Sequence, residues 1–197
     1  MSEIKELCSH SFHDVCEVIR SAHLAEYQTN GLIINTSNIT AEQLQQEMEA
    51  FHGKCLGYFM DGILVGTLSV LCYERQYWFS RDQGIRTIKY VAVRPEYQGR
   101  GLASQLLKFV KDHDTVENTP LLVSTDQRNR HAIKLYEKNG FQIVNVMRSR
   151  KAKSNSVRMA WWPAECPVSK VSVKFHIMKD QLKCAIKKLL DMLLQAA

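Results

Sequence analysis

The stretch from Val91 to Ala103, V-A-V-R-P-E-Y-Q-G-R-G-L-A, most constrains what this chain can fold into. Its apolar start predicts a strand, which Arg94-Pro95 ends because proline lacks the N–H donor that a sheet requires. Gly99 and Gly101 then precede an apolar helix, and glycines at a helix entrance let the backbone approach an anion closely. The segment therefore predicts a strand–turn–helix unit whose first helical amides bind a phosphate or pyrophosphate.

Two other interpretations of these glycines follow from the residues alone. A dinucleotide fingerprint needs a third glycine and an acid about twenty residues further on. Ser104 and Thr119-Pro120-Leu121 stand at those positions, which argues against that fingerprint. A glycine-rich turn without a ligand is the second alternative.

Periodicity and turn signals predict the other elements. An amphipathic helix is expected from Ser11 to Tyr27, and a second from Thr40 to about Phe51, with Gln43 at the capping-box position. Asp61-Gly62 predicts a tight hairpin turn. The other predicted segments are strands at 56–60, 63–72, 85–93, 121–125, 141–148 and 157–162, and helices at 101–111 and 129–139. This order favours an α/β architecture with helices packed on a largely antiparallel sheet.

The cysteine pattern and the hydropathy of the chain indicate its cellular location. The six cysteines are scattered without a CxxC pair, which fits neither a disulfide framework nor a zinc site. We therefore expect no metal, a cytoplasmic location, and thiols that serve as small core residues. The first ten residues lack a secretory pattern, and no apolar run is long enough to span a bilayer.

Charge is distributed unevenly along the chain. Residues 1–84 carry five basic and eleven acidic side chains, whereas residues 142–197 carry eleven basic and three acidic ones. The asymmetry predicts two surfaces of opposite sign, and solvated helix faces are the alternative explanation. No recognition motif accompanies the basic part, so a nucleic-acid partner is not expected.

A second segment, residues 129–141, reads N-R-H-A-I-K-L-Y-E-K-N-G-F. With the first segment and in this order, it resembles the GNAT superfamily of N-acetyltransferases, which carry V-x-V-x-P-x-Y-Q-G-x-G-x-A followed by N-x-x-A-x-x-L-Y-E-K-x-G-F. The likeness is close over residues 85–141 and looser from about residue 4 to residue 163. It implies a GNAT fold, with a mixed, largely antiparallel central sheet that is flanked by helices and splayed at its central strands.

The resemblance also implies acetyl-CoA as co-substrate and a place for it. Backbone groups of Val91, Ala92 and Val93 would contact the pantetheine arm, with an amide of this strand stabilising the oxyanion. Asn129 would hydrogen-bond the same arm, and Tyr136 would face the sulfur and donate a proton to the departing thiolate. From the residues alone, Asn129 is a helix cap and Tyr136 a core aromatic. The pyrophosphate would be held by the main chain of Gln98, Gly99, Arg100, Gly101, Leu102 and Ala103.

The implied activity is transfer of an acetyl group from acetyl-CoA to a primary amine of a small molecule or peptide, by direct attack in a ternary complex. Members of the family often use a glutamate on the central strands as the base, but Arg86, Lys89 and Ser124 occupy those positions. The candidates for the base are therefore Glu74, Ser124 acting through water, and Asp82. An acyl-CoA-binding or regulatory module with little turnover is the alternative function.

The walls of the expected acceptor site differ in charge. Glu42, Glu47 and Glu49 favour a small cationic amine, which we prefer, and solvent exposure of these charges is the alternative. The opposite wall favours an acidic acceptor and carries Arg148, Arg150, Lys151 and Lys153.

Two regions divide the chain. Residues 1–165 are predicted to form the GNAT domain, and residues 166–197 a C-terminal extension with a strand and an amphipathic basic helix. We expect the extension to pack on the domain. A homodimer formed through its helix is the next interpretation, and binding to an acidic membrane surface the third.

Overall fold

A computed structural model describes residues 1–31, 38–73, 85–113, 119–148 and 155–164. Several predictions fall on residues outside these ranges. They concern the base candidates Glu74 and Asp82, the basic residues 150–153, and the extension at 166–197.

The described elements agree closely with those expected from the sequence, with one addition at the start of the chain. In chain order they are β1 (Ser2–Glu6), α1 (Phe12–Asn30), α2 (Ala41–Ala50), β2 (Lys54–Met60), β3 (Ile63–Tyr73), β4 (Ile85–Val93), α3 (Leu102–His113), β5 (Leu121–Asp126), α4 (Arg130–Lys138), β6 (Gln142–Arg148) and β7 (Asn155–Trp161). Short 3₁₀ turns cover Ser9–Ser11 and Pro95–Tyr97. Strand β1 was not predicted.

All seven strands join one sheet in the order β1-β2-β3-β4-β5-β7-β6. Every neighbouring pair is antiparallel except β4 and β5, which are parallel and connected through α3. The central pair is short: β4 pairs with β5 only through Arg86–Ile88 and Leu121–Val123. The mixed, largely antiparallel sheet with splayed central strands is thereby confirmed.

Local turn and cap chemistry shapes the elements as expected. Asp61 and Gly62 both take positive φ, 48° and 81°, which suits the tight turn between β2 and β3. At the start of α2, the Thr40 side chain accepts from the Gln43 amide at 3.2 Å, and Gln43 Oε1 accepts from the Thr40 amide at 3.1 Å. This reciprocal capping box stabilises the first turn of α2.

Two apolar clusters hold the helices against the sheet. One joins α3 and α4 to the strands through residues such as Leu106, Leu107 and Ile133. The other joins α1 and α2 through Ile19 and Leu44. In the described parts of the chain, no helix is both long enough and apolar enough to cross a membrane.

The described cysteines only partly match the expected core role. Cys16 and Cys55 are buried, whereas Cys72 is partly buried and Cys8 is exposed. The expectation of a core thiol is therefore wrong for Cys8, which precedes the 3₁₀ turn on the protein surface.

Strand β4 carries an irregularity just after its pairing with β5 ends. The register against β3 shifts between Thr67, which pairs with Ala92, and Ser69, which pairs with Lys89. This leaves one more residue in β4 than in β3, and Tyr90 there takes a φ of 54°. Such a bulge redirects side chains, and Tyr90 accordingly packs with the α1 and α2 cluster.

Candidate functional site

The turn between β4 and α3 presents open backbone. Gly99 and Gly101 have φ of 76° and 77°, a region that favours glycine. A Cβ atom at either position would meet no atom within 4 Å, so the space beside the turn is free. Gln98 fixes the turn to the end of β4, since its Nε2 donates to the Val93 carbonyl at 3.0 Å.

The first turn of α3 offers unpaired amide donors. Its first intrahelical bond runs from the Gln105 amide to the Gly101 carbonyl at 3.1 Å. The amides of Leu102, Ala103 and Ser104 therefore have no partner within the helix. The positive end of the helix dipole adds to them, so the arrangement suits an anion such as a pyrophosphate.

Two arginines flank this turn, and the structure places them differently. Arg100 is exposed, donates from Nη2 to the Glu96 carbonyl at 3.2 Å, and lies over the Tyr97 ring at 5.1 Å. Arg94 is partly buried and donates from Nε to the Leu64 carbonyl at 2.8 Å. Arg100 is thus the better placed to meet a phosphate.

The C-terminal part of β4, Val91–Val93, has no paired strand on the side that faces β5. Val93 pairs with Gly66 and Ala92 with Thr67 of β3, but neither pairs with β5. Ala92 and Val93 are buried, and Val91 is partly buried. An extended ligand can therefore use the β4 backbone groups that face the gap, as an added strand would.

Asn129 caps α4. Its Oδ1 accepts from the Ala132 amide at 2.9 Å, which confirms the helix-cap interpretation. Its Nδ2 makes no hydrogen bond to a described residue, so the amide retains donors that a ligand can use. The contact with a pantetheine arm stays a prediction.

Tyr136 is a core residue with a buried phenol. It is 5% exposed and packs against Phe141 with ring centroids 5.7 Å apart. Burial raises the pKa of the phenol well above its ordinary value, so the hydroxyl stays protonated at neutral pH. It makes no hydrogen bond to a described residue, which leaves the O–H as a donor. Proximity to a thiol sulfur stays a prediction.

The positions where a family glutamate was expected hold other groups with other roles. Arg86 is buried and donates to Thr119, from Nε to Oγ1 and from Nη2 to the carbonyl, both at 2.8 Å. It therefore ties β4 to the segment that leads into β5. Ser124 is exposed on β5, in register with Arg158 of β7.

Lys89 belongs to a cluster that sequence reasoning missed. The Glu47 carboxylate of α2 accepts hydrogen bonds from Lys89 Nζ and from the Tyr90 hydroxyl, both on β4. Glu47 was expected, together with Glu42 and Glu49, as an acidic residue of the acceptor-site wall, and its pairing with Lys89 and Tyr90 was not predicted. Because its partners lie more than forty residues away in sequence, no local pattern indicates this pairing.

The cluster borders a cleft of about 570 Å³ between α2 and β4. Its volume falls in the range of roughly 300 to 1,000 Å³ that is common for small-molecule sites. The described lining consists of Asn38, Ile39, Gln43, Gln46, Glu47, Ala50, Phe51 and Tyr90.

His23 on α1 is a buried titratable group that sequence reasoning also missed. It is 9% exposed, and its Nδ1 has no hydrogen-bond partner. Burial lowers the pKa of the imidazole to about 4, so it is neutral at pH 7. Among the described residues, no group of three or more His, Cys, Asp or Glu side chains is arranged to hold a metal ion.

Comparison with known proteins agrees with this architecture. Residues 52–143 match the family model described as an acetyltransferase (GNAT) domain. The chain is similar in fold to yncA of Salmonella typhimurium, solved with its cofactor acetyl-CoA, with a TM-score of 0.66 and 17% identity over 86% of this chain and 98% of that one. It is also similar to the PaiA N-acetyltransferase of Thermoplasma acidophilum in complex with coenzyme A, with a TM-score of 0.59 and 17% identity over 82% of this chain and 99% of that one.

One curated relative extends the likeness in sequence. The UPF0157 protein YqkA of Bacillus subtilis is 27% identical over 153 residues, which cover 77% of this chain and 42% of that protein. The chain thus spans about two fifths of the length of the curated relative that it matches.

The sheet, the gap between β4 and β5, and the glycine turn before α3 define a protein with the GNAT acetyltransferase fold. Residues 52–143, which match the family model, include the glycine turn and both central strands of this fold.

Proposed function

We propose that this protein is an N-acetyltransferase that moves an acetyl group from acetyl-CoA to a primary amine of a small molecule or peptide. One observation carries the proposal. Strand β4 leaves β5 after Ile88, and the chain then leads through the open glycine turn to the unpaired amides of α3. Coenzyme A has an extended pantetheine arm attached to a pyrophosphate, so a gap beside β4 followed by an anion site suits both of its parts.

Each described residue then has a defined task. Amides from Gly99 to Ala103 bind the pyrophosphate, and backbone groups of Val91–Val93 hold the pantetheine arm and the developing oxyanion. Alignment of amine and thioester supplies a large part of the catalysis, because a thioester is already activated. Tyr136 donates its phenolic proton to the departing thiolate.

Removal of the proton from the attacking ammonium is the less defined step. Ser124 is exposed and therefore accessible to a water that relays the proton. The other two candidates, Glu74 and Asp82, lie outside the described residues.

The alternative function is an acyl-CoA-binding or regulatory module with little turnover. It is favoured by Arg86 and Lys89, which occupy central-strand positions and are engaged in structural contacts. Acceptor-dependent release of CoA separates the two functions.

The experiment combines two measurements on the full chain. Calorimetry with CoA tests the binding site, and thiol release from acetyl-CoA across a panel of amines tests turnover. We expect CoA binding together with amine-dependent release. Binding without release from any amine would favour the regulatory module, and absence of CoA binding would overturn both functions.

The wider assignments rest on sequence. We propose the cytosol as the compartment, on the basis of the scattered cysteines.

Dimerisation through the C-terminal helix is tested by comparing the solution mass of the full chain with that of a chain that ends at residue 177. If both chains have the solution mass of a monomer, dimerisation through this helix is excluded.

A further inference from the structure

The cleft between α2 and β4 combines one carboxylate with neutral polar and apolar groups. Glu47 is the charged residue of its described lining. Three amide side chains, from Asn38, Gln43 and Gln46, supply polar groups, and Ile39 and Phe51 supply apolar surface. Such a mixture of few polar groups on an apolar wall is typical of small-ligand sites.

The Glu47 carboxylate retains capacity for a ligand. An ionised carboxylate offers about four acceptor positions. Lys89 Nζ engages Oε1, and the Tyr90 hydroxyl engages Oε2. The remaining lone pairs can accept from the N–H groups of one ammonium. Because Lys89 already balances the negative charge, the cleft has little attraction for a ligand with several cationic groups.

The amides add donors beside this carboxylate. Gln43 uses its Oε1 in the capping box with the Thr40 amide. Its Nε2 makes no hydrogen bond to a described residue, so it can donate to a ligand oxygen. The carboxamides of Asn38 and Gln46 are exposed at the same cleft and can both donate and accept. Hydroxyl or amide groups on a ligand therefore find partners, whereas the described lining offers a ligand carboxylate no positively charged partner.

The bulge in β4 links the cleft to the proposed acetyl-CoA site. Tyr90 is the bulge residue, with a φ of 54°, and its side chain lines the cleft. The next three residues, Val91–Val93, form the free edge of β4 that is proposed to hold the pantetheine arm. The cleft and the proposed acetyl-CoA site thus share one short segment of backbone.

We propose that this cleft is the acceptor site, and that it takes a primary monoamine bearing hydroxyl or amide groups, the chemistry of an amino sugar or amino alcohol. Glu47 is the specificity-determining residue that holds the ammonium. Lys89 and Tyr90 position the Glu47 carboxylate. This inference rests on the proposed acetyltransferase function.

The test measures steady-state kinetics of the full chain with acetyl-CoA and four probes: glucosamine, ethanolamine, spermidine and glutamate. We expect the highest kcat/KM with glucosamine or ethanolamine. In Glu47→Gln, the KM for the preferred amine should rise about tenfold or more, because a hydrogen bond to a charged group is lost. The KM for acetyl-CoA should stay within about twofold.

Two further variants keep the test decisive if Glu47→Gln folds poorly. Glu49→Gln is the matched control, because Glu49 was expected in the same acidic wall but is exposed on α2 and is absent from the described lining of the cleft. It should behave as the unmodified protein does. Ala50→Leu places bulk at an exposed position of the lining, and should raise the amine KM without changing CoA affinity by calorimetry.

The outcomes separate this inference from the function on which it rests. Turnover with unchanged amine KM in both Glu47→Gln and Ala50→Leu would overturn the cleft as acceptor site while leaving the acetyltransferase intact. Preference for spermidine, a polyamine, or for glutamate, which bears carboxylates, would overturn the proposed class of monoamines with hydroxyl or amide groups. Absence of turnover with every amine would instead count against the proposed function.

Discussion

Ile88 of β4 pairs with Val123 of β5, and this is the last pair before the two central strands separate. Both side chains are buried in the cluster under α3 and α4, so the point of separation is fixed by packing. Beyond it, β4 keeps its antiparallel pairing with β3 and loses a partner on the other edge. The pairing of the sheet is thereby interrupted between its two central strands.

The buried phenol of Tyr136 yields the first prediction. Tyr136→Phe removes the proposed donor to the thiolate and keeps the packing against Phe141. We expect kcat to fall about 100-fold or more, as for loss of a general acid, with little change in the Kd for CoA. Thiol-release kinetics and calorimetry measure the two quantities.

Tyr58 provides a matched control for that substitution. It is a buried tyrosine of the same cluster, and its hydroxyl donates to Gln105 Oε1 at 2.8 Å. Tyr58→Phe should cost stability without a selective loss of kcat. Equal kcat losses in both variants would assign Tyr136 to packing alone.

The glycine turn yields the second prediction. Gly101→Asp places a carboxylate where the pyrophosphate is proposed to bind, and should raise the Kd for CoA at least about tenfold. Gly101→Asn has nearly the same shape and strain at positive φ but no charge, so it should bind CoA more tightly than the aspartate variant. Similar Kd values for the two variants would show that the charge of a bound phosphate is not sensed at this turn.

Asn129 yields the third prediction, because its two ends have separable tasks. Asn129→Ala removes the cap from α4 and should lower the free energy of unfolding by about 1 kcal/mol. Asn129→Ser keeps a capping oxygen but lacks the Nδ2 donors. If the amide binds the pantetheine arm, the serine variant will fold with nearly normal stability and bind CoA more weakly. Normal CoA affinity in the serine variant would restrict Asn129 to capping.

His23 yields a prediction about pH. Burial lowers the pKa of the folded-state imidazole to about 4, below the ordinary value of about 6.5, so between these values the unfolded chain binds more protons. The free energy of unfolding therefore falls as the pH drops from about 6.5 to 4, by about 3 kcal/mol from this group. Above about pH 6.5, His23 no longer makes the free energy of unfolding depend on pH.

Chemical denaturation at several pH values measures this dependence. His23→Leu removes the titrating group and its unpaired Nδ1, and should flatten the curve between pH 4 and 6.5 relative to the unmodified chain. His13→Leu is the control, because His13 lies on the same helix with a side chain that is 79% exposed. An identical pH dependence in all three chains would refute the role of His23.

Much of the fold followed from local chemistry. The Asp61-Gly62 turn and the Thr40–Gln43 capping box each specify their backbone through residue type, and each has the expected geometry. Strand β1 was missed because its sequence, S-E-I-K-E, contains one apolar residue. It becomes a strand by adding to the edge of β2, which is a tertiary event.

The candidate site likewise contains residues that the sequence predicted and residues that it did not. The residues of the turn and of α4 stand in two recognisable segments, so their places were predictable. The Glu47–Lys89–Tyr90 cluster depends on α2 lying across β4 and on a bulge at Tyr90. No glycine marks that bulge in the sequence I-K-Y-V-A-V, so neither the bulge nor the cleft beside it could be read from residue type.

We propose that acetyl-CoA lies in the gap between β4 and β5 and at the turn before α3, in line with Tyr136. A crystal structure of the full chain grown with CoA would locate the ligand. We expect pyrophosphate oxygens within hydrogen-bond distance of the amides from Gly99 to Ala103, and the sulfur within reach of the Tyr136 hydroxyl. A CoA molecule bound elsewhere, with the turn empty or the sulfur remote from Tyr136, would refute this placement.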